Sequence, residues 1–257
     1  MADIHETAII EQGAILADDV KVGPYCFIGK DVRIGSGTSL FSHVVVGGIT
    51  EIGEGNEIYP FASIGLANQD LKYKGEATKT IIGNRNRIRE CVTIHRGTDA
   101  SWETRIGDGN LLMAYVHVAH DVRIGNGCVL ANNVTLAGHV TVEDYAIIGG
   151  LTPAHQFTRI GAYSMTGGNS GIAQDICPFC LAEGERAEMK GLNSIGLRRH
   201  GFTDEDLSNL KKAYRLIFRS GLPLKEALRQ VEESFGQDEH VMYLVNFIRS
   251  SQRGIAR

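Results

Sequence analysis

No run of 18 apolar residues occurs in this chain of 257, so a membrane-spanning helix is not expected. Met1 to His5 lack the basic stretch and apolar core of a secretory leader. A cytoplasmic protein is the simplest expectation. Positive charge is not in excess: 26 Lys and Arg stand against 30 Asp and Glu, a formal net charge of −4. That balance gives no sign of a nucleic-acid surface. Cysteine is limited to five, which cannot pair evenly. Cys177 and Cys180 form a CPFC motif, but without the strand-to-helix setting of a redox dithiol. One such pair is also only half a zinc site. We read both cysteines as structural.

What the sequence does have is a period of six. From Ile4 to Ile172, 24 of the 29 positions in one hexad phase are Leu, Ile or Val. The exceptions are Asp70, Glu76, Ala100, Ala154 and Thr166. Neither a helix (period 3.6) nor a flat strand (period 2) repeats this way. Hexads mark a parallel β-helix, in which each hexad is a short strand plus a turn. Three hexads close one triangular coil of 18 residues, so the pattern covers roughly nine coils. The aliphatic residue points inward and stacks on its equivalents in neighbouring coils. Small or β-branched residues precede it by two (Ala8, Ala14, Val20, Cys26, Val32). Glycine often follows it (Gly29, Gly35, Gly53, Gly83, Gly107), which suggests turns with positive φ.

The hexads fail twice, and the fold expected is a parallel β-helix over residues 1–184 with loops at about 66–81 and 97–104. Loops on a rigid solenoid commonly carry function. Residues 185–257 follow a different rule and are expected to form a small helical domain. Thr203 is a good N-cap, acids fill the next turn, and Gly221 can end the helix. Leu207, Leu210, Tyr214, Ile217 and Phe218 make one apolar face. A second helix is expected from near Pro223 and a third over roughly 238–250.

Five of nine histidines lie between residues 95 and 155: His95, His117, His120, His139 and His155. The phase is unbroken from Ile106 to Ile148, so residues 18 apart should stack about 4.8 Å apart. His120 therefore stacks beneath Gly138, with His139 beside it and Gln156 two coils above. An imidazole can take a proton at neutral pH. A bare glycine N–H can hold an oxyanion. The pair suits acyl transfer onto a hydroxyl that itself attacks. Asp121 can orient the His120 ring only if the chain turns at 120–121. Two other readings stay open: a decorated scaffold, and a zinc site of the carbonic-anhydrase kind.

The strings NQDLKYKGE (68–76), IRECVTIHRGT (88–98), HVAHD (117–121), ANNVTLAGHV (131–140), IIGG with AHQF (147–157) and GLRRHGF (196–202) add a more specific signal. On these the chain resembles the UDP-N-acetylglucosamine O-acyltransferases of lipid A biosynthesis over essentially its whole length. The resemblance implies a left-handed β-helix and a cytoplasmic homotrimer with active sites between subunits. It implies transfer of an (R)-3-hydroxyacyl group from acyl carrier protein to the 3-hydroxyl of UDP-N-acetylglucosamine, with no bound cofactor and no metal. The phosphopantetheine arrives on the carrier.

By the same resemblance His120 is the general base, Gly138 holds the oxyanion, and Asp121 stands beside the base. Asp70, Lys72, His95, His117, His139 and Gln156 match positions that line the cleft. Asn193 and Arg199 match positions near the nucleotide, and Gly168 matches the position that limits acyl-chain length. A sister N-acyltransferase acting on an amino-sugar nucleotide is the alternative within enzymes. The chain departs from the family pattern at Gly184-Glu185-Arg186-Ala187 and at His200, where a second basic residue commonly follows Arg199. Arg198, Arg199, Lys211, Lys212 and Arg215 are candidates for docking the acidic carrier.

Overall fold

The computed structural model describes residues 2–257. Strands of mostly two residues stack into three parallel sheets, and successive strands pass from one sheet to the next. Pairs such as Ile4–Val22, Ile28–Val46 and Leu130–Ile148 set the ladder at one 18-residue coil. The inward residues Ile28, Ile58, Ile64, Ile88, Ile94, Leu112, Leu130 and Ile148 are fully buried. They form one apolar column that no single coil could close alone. The lowest coil shows the converse: Ile4 remains 43% exposed, with no described residue stacked beneath it.

The register measures both interruptions. Ser63 pairs with Thr93, a spacing of 30 rather than 18, so 12 residues are inserted. Thr93 pairs with His117, a spacing of 24, so six more are inserted. The inserted chain lies outside the regular strands Ser63–Leu66, Lys79–Ile82, Thr93–His95 and Glu103–Ile106.

The glycines after the inward aliphatics serve a purpose other than the expected positive φ. Gly35, Gly53 and Gly83 are not among the residues with positive φ. A Cβ on Gly53 would lie 2.7 Å from the Gly83 carbonyl oxygen, and one on Gly83 equally close to that of Gly107. They let successive turns approach. The left-handed backbone falls two residues later, at Gly37, Gly55, Gly109 and Gly127, but also at Tyr25, Phe61, Asp121 and His139.

The ladder then reverses. Cys180–Glu183 pairs in parallel with Met165–Thr166 and antiparallel with Glu188–Leu192. The turn of this hairpin holds residues 184 and 185. Cys177 and Cys180 are both buried free thiols. Burial pushes the Cys180 thiol up to about 12.

Four helices follow: α1 (Ser194–Arg199), α2 (Asp204–Arg219), α3 (Leu224–Phe235) and α4 (Glu239–Ser250). Thr203 caps α2 in a full capping box with Asp206, and Asp238 caps α4 through the Val241 N–H. The helical part is fastened to the prism. Glu143 accepts from the Tyr243 hydroxyl at 2.8 Å. Arg159 donates to Ser250 at 2.8 Å and lies 4.1 Å over the Phe247 ring. Asp175 accepts from Ser251 at 2.7 Å, and its backbone bridges Ile255.

Candidate active site

The sheet of His117–Val118 meets the sheet of Arg123–Ile124 along one edge of the prism, and the turn between them carries His120 and Asp121. Asp121 has φ 60°, the left-handed value that brings its side chain round to the same side as His120. His120 Nδ1 then lies 2.8 Å from Asp121 Oδ2. With the Nδ1 proton held there, Nε2 is the free ring nitrogen. The His120 ring stands against Gly138 one coil away. A Cβ at residue 138 would come within 2.6 Å of Nε2, so with the ring in this position only glycine fits against it. The Gly138 carbonyl accepts from Phe157, while its N–H donates to no protein acceptor among the described residues.

Asp121 is the most constrained group of the site. Burial alone would raise its carboxyl, but donors from Ser101, from the Thr98 hydroxyl and N–H, and from His120 outweigh it and hold it down at about 2. Oδ1 accepts from Thr98 N–H at 3.0 Å and Ser101 hydroxyl at 2.5 Å. Oδ2 accepts from Thr98 hydroxyl at 2.6 Å as well as from His120. The Asp121 N–H donates to Thr104 Oγ1 at 2.9 Å.

Around this pair opens a cleft of about 630 Å³ whose lining includes Asp70, Lys72, His95, His117, His120, Gly138, His139 and Gln156. The first insertion delivers Asp70 and Lys72, and Asp70 Oδ1 accepts the Lys72 N–H at 2.9 Å. His95 is held well below its usual range, at about 4, by burial and then by the neighbouring His117 and His120. Burial also lowers His117 and His139. His117 Nδ1 and the Thr93 hydroxyl are 2.7 Å apart, and the His139 ring stacks on Phe157 with centroids 4.4 Å apart.

His120, Asp121 and His139 offer three ligand-type atoms within 4.8 Å of one another, the nearest approach to a metal set among the described residues. A cation there would have to displace the donors that already occupy both Asp121 oxygens.

Three expected residues lie elsewhere. Asn193 caps α1 through the Gly196 N–H and donates to the Tyr163 carbonyl. Tyr163 sits on a second edge, between the sheets of Arg159–Ile160 and Met165–Thr166. Arg199 is exposed in the last turn of α1, and His200 packs between Tyr145 and Tyr163. Gly168 lies on the third edge, in the turn after Met165–Thr166. Sequence reasoning missed Thr98, Ser101, Thr93 and Phe157. Phe157 alone left a signal, 18 residues beyond His139.

A protein of Thermodesulfovibrio yellowstonii named acyl-[acyl-carrier-protein]–UDP-N-acetylglucosamine O-acyltransferase is 55% identical over 259 residues, which span the whole of both chains. The chain belongs to the UDP-N-acetylglucosamine O-acyltransferase family. A family model described as the second domain of that enzyme matches residues 175–256, and the bacterial transferase hexapeptide model matches residues 103–138. LpxA of Acinetobacter baumannii superposes with a TM-score of 0.96 at 48% identity, covering 99% of each chain. LpxA of Bacteroides fragilis does so at 0.97 and 43%, covering 99% of this chain and 100% of its own. The coils are those of the left-handed β-helix that the acyltransferase family shares. Its mismatch with the usual right-handed crossover is a property of this fold.

Proposed function

We propose that the chain transfers an (R)-3-hydroxyacyl group from acyl carrier protein to the 3-hydroxyl of UDP-N-acetylglucosamine, the first step of lipid A biosynthesis. The observation that carries the chemistry is the free Nε2 of an Asp-held His120 whose ring stands against Gly138, a residue with an unpaired N–H. Nε2 takes the proton of the sugar 3-hydroxyl as its oxygen attacks the thioester carbonyl. The ionised Asp121 stabilises the imidazolium that forms. The Gly138 N–H holds the oxyanion of the tetrahedral intermediate. Collapse breaks the carbon–sulfur bond, and the carrier thiolate takes the proton back from His120. The hydroxyl is its own nucleophile, so no bound cofactor or metal is needed. Lys72 and Asp70 meet polar groups of the acceptor, beside His95, His117, His139 and Gln156.

The placement of the residues supports a homotrimer. His120, Asn193 with Arg199, and Gly168 fall on three different edges of one prism, and a single chain cannot gather them round one substrate. Packing of prism sides in a closed homotrimer brings edges of neighbouring copies together. The exposed Lys211, Lys212 and Arg215 of α2, with Arg198 and Arg199, offer the acidic carrier a basic dock. No helix among the described residues is long and apolar enough to cross a membrane. With two soluble substrates, our reading of the reaction is a cytoplasmic one.

The test is incubation with UDP-N-acetylglucosamine and a ladder of (R)-3-hydroxyacyl carrier proteins, with the product read by mass spectrometry. A base-labile ester is expected, falling by about 10³ in His120→Ala. An alkali-stable amide on an amino-sugar acceptor would move the assignment to the N-acyl sister reaction. In the same ladder Gly168→Met should shorten the preferred chain. An unchanged preference would remove Gly168 from the acyl pocket.

A further inference from the structure

The six-residue insertion between Thr93 and His117 ends in the catalytic corner. We propose that Thr98 and Ser101, both within it, are positioning residues that keep the Asp121 carboxylate ionised and fixed, and so keep the proton of His120 on Nδ1. The inference rests on His120 acting as the base, and it adds two residues that touch no substrate.

The geometry is specific. Three donors from one short stretch converge on a carboxylate whose side chain is wholly buried: the Thr98 N–H, the Thr98 hydroxyl and the Ser101 hydroxyl. The Ser101 hydroxyl also lies 3.0 Å from the Glu103 carbonyl, but it has one proton, and the closer, charged acceptor takes it. Without these donors Asp121 would be a carboxylate in a dry corner with His120 and, at 3.7 Å, the His139 ring as its remaining neighbours. Burial then favours the neutral acid. A protonated Asp121 has less acceptor capacity for Nδ1–H and can turn its own proton toward the ring. That puts the imidazole proton on Nε2, the wrong nitrogen for a base.

The insertion is itself held from the other one. The Gly97 carbonyl accepts from Asn68 Nδ2 at 3.0 Å and from Thr78 hydroxyl at 2.6 Å, and Asn68 Oδ1 also accepts the Asp70 N–H at 3.1 Å. Both breaks in the hexad repeat therefore serve one corner. The first supplies cleft residues and a brace, and the second supplies the donors. An uninterrupted solenoid would leave Asp121 with the Thr104 hydroxyl on its N–H and His120 on its carboxylate.

The test uses the full-length protein with Ser101→Ala, Thr98→Val and Thr98→Ser, each checked by circular dichroism to be folded at the assay temperature. Two readouts are taken: kcat and KM for both substrates, and the His120 tautomer from nitrogen-15 NMR of the imidazole. We expect kcat to fall about 10-fold in Ser101→Ala and more in Thr98→Val, with both KM values within twofold. Thr98→Ser should recover most of the rate, and the NMR should show Nε2–H gaining population as kcat falls. An unchanged tautomer with unchanged kcat in Ser101→Ala and Thr98→Val would overturn the proposal. So would a rate loss carried by KM alone. The NMR reading judges the positioning role even if the wild-type protein forms no ester, an outcome that would sink the assigned reaction instead.

Discussion

Two edges of the same prism carry columns of polar residues, and they differ in whether those residues are finished. On the edge before the strands Glu57–Ile58, Arg87–Ile88 and Leu111–Leu112, Asn56, Asn86 and Asn110 form a buried ladder. Asn86 gives its N–H and Nδ2 to Asn56 Oδ1, gives Nδ2 again to the Gly107 carbonyl, and takes the N–H and Nδ2 of Asn110. Cys128 N–H closes the column on Asn110 Oδ1 at 2.7 Å. Every one of these groups is spent within the protein. On the edge of His120 the column is Asp121, His120 and Gly138, and it stops short: one ring nitrogen and one backbone N–H point at a cleft with no protein partner. In these two columns, the satisfied asparagines hold coil to coil and the unsatisfied pair faces the cleft.

If that contrast is sound, the two edges should fail in different currencies. The largest effect belongs to the unfinished edge. Gly138→Ala places a methyl where the His120 ring stands, 2.6 Å from Nε2, and forces the base away from its partner N–H. We expect kcat to fall by about 10² or more, with less than about 1 kcal/mol change in unfolding free energy. An active Gly138→Ala protein would detach the ring from the chemistry. Asn86→Ala should do the reverse. It strips partners from buried groups on Asn56, Gly107 and Asn110, at a cost of about 2–4 kcal/mol in urea unfolding. The kcat of the folded fraction should stay within about twofold, since a stability change alone leaves native-state chemistry untouched. A rate loss without destabilisation would blur the distinction between the edges.

The same contrast explains what could be read from the sequence. The inward aliphatics follow from their period, because each must meet its equivalent in the next coil. The juxtaposition of His120 with Gly138 follows because the phase is unbroken between them. The asparagine ladder sits two residues before Ile58, Ile88 and Leu112, the phase otherwise kept for small or β-branched residues, so its place was visible and its bonding was not. Thr98 and Ser101 were hidden for a physical reason: inside an insertion the coil register no longer says what lies next to what. The hairpin of Cys180–Glu183 and Glu188–Leu192 was hidden because it reverses direction just where the hexads end. The glycines after the aliphatics were legible as turns, but their need for close approach rather than positive φ depends on the coil above.

A smaller effect follows from the histidines that crowd the working edge. His95 is 8% exposed and held at about 4 against its usual 6.5, first by burial and then by the other histidines. In the unfolded chain the same ring titrates near 6.5. Between those values the unfolded state binds a proton that the folded state refuses. Unfolding free energy therefore falls as pH drops from about 6.5 to 4 and levels off below, by at most about 3 kcal/mol from this one residue. Asp121 acts in the same direction but lower, between its usual 3.8 and about 2, so the two windows are separable. Urea titrations at pH 7.5 and 4.5 should show the loss, and His95→Gln should reduce it, leaving the parts that the lowered His117 and His139 contribute and the lower window of Asp121 in place. A wild-type protein equally stable at both pH values would mean that His95 is protonated in the folded state. The cleft edge would then be wetter than its burial implies.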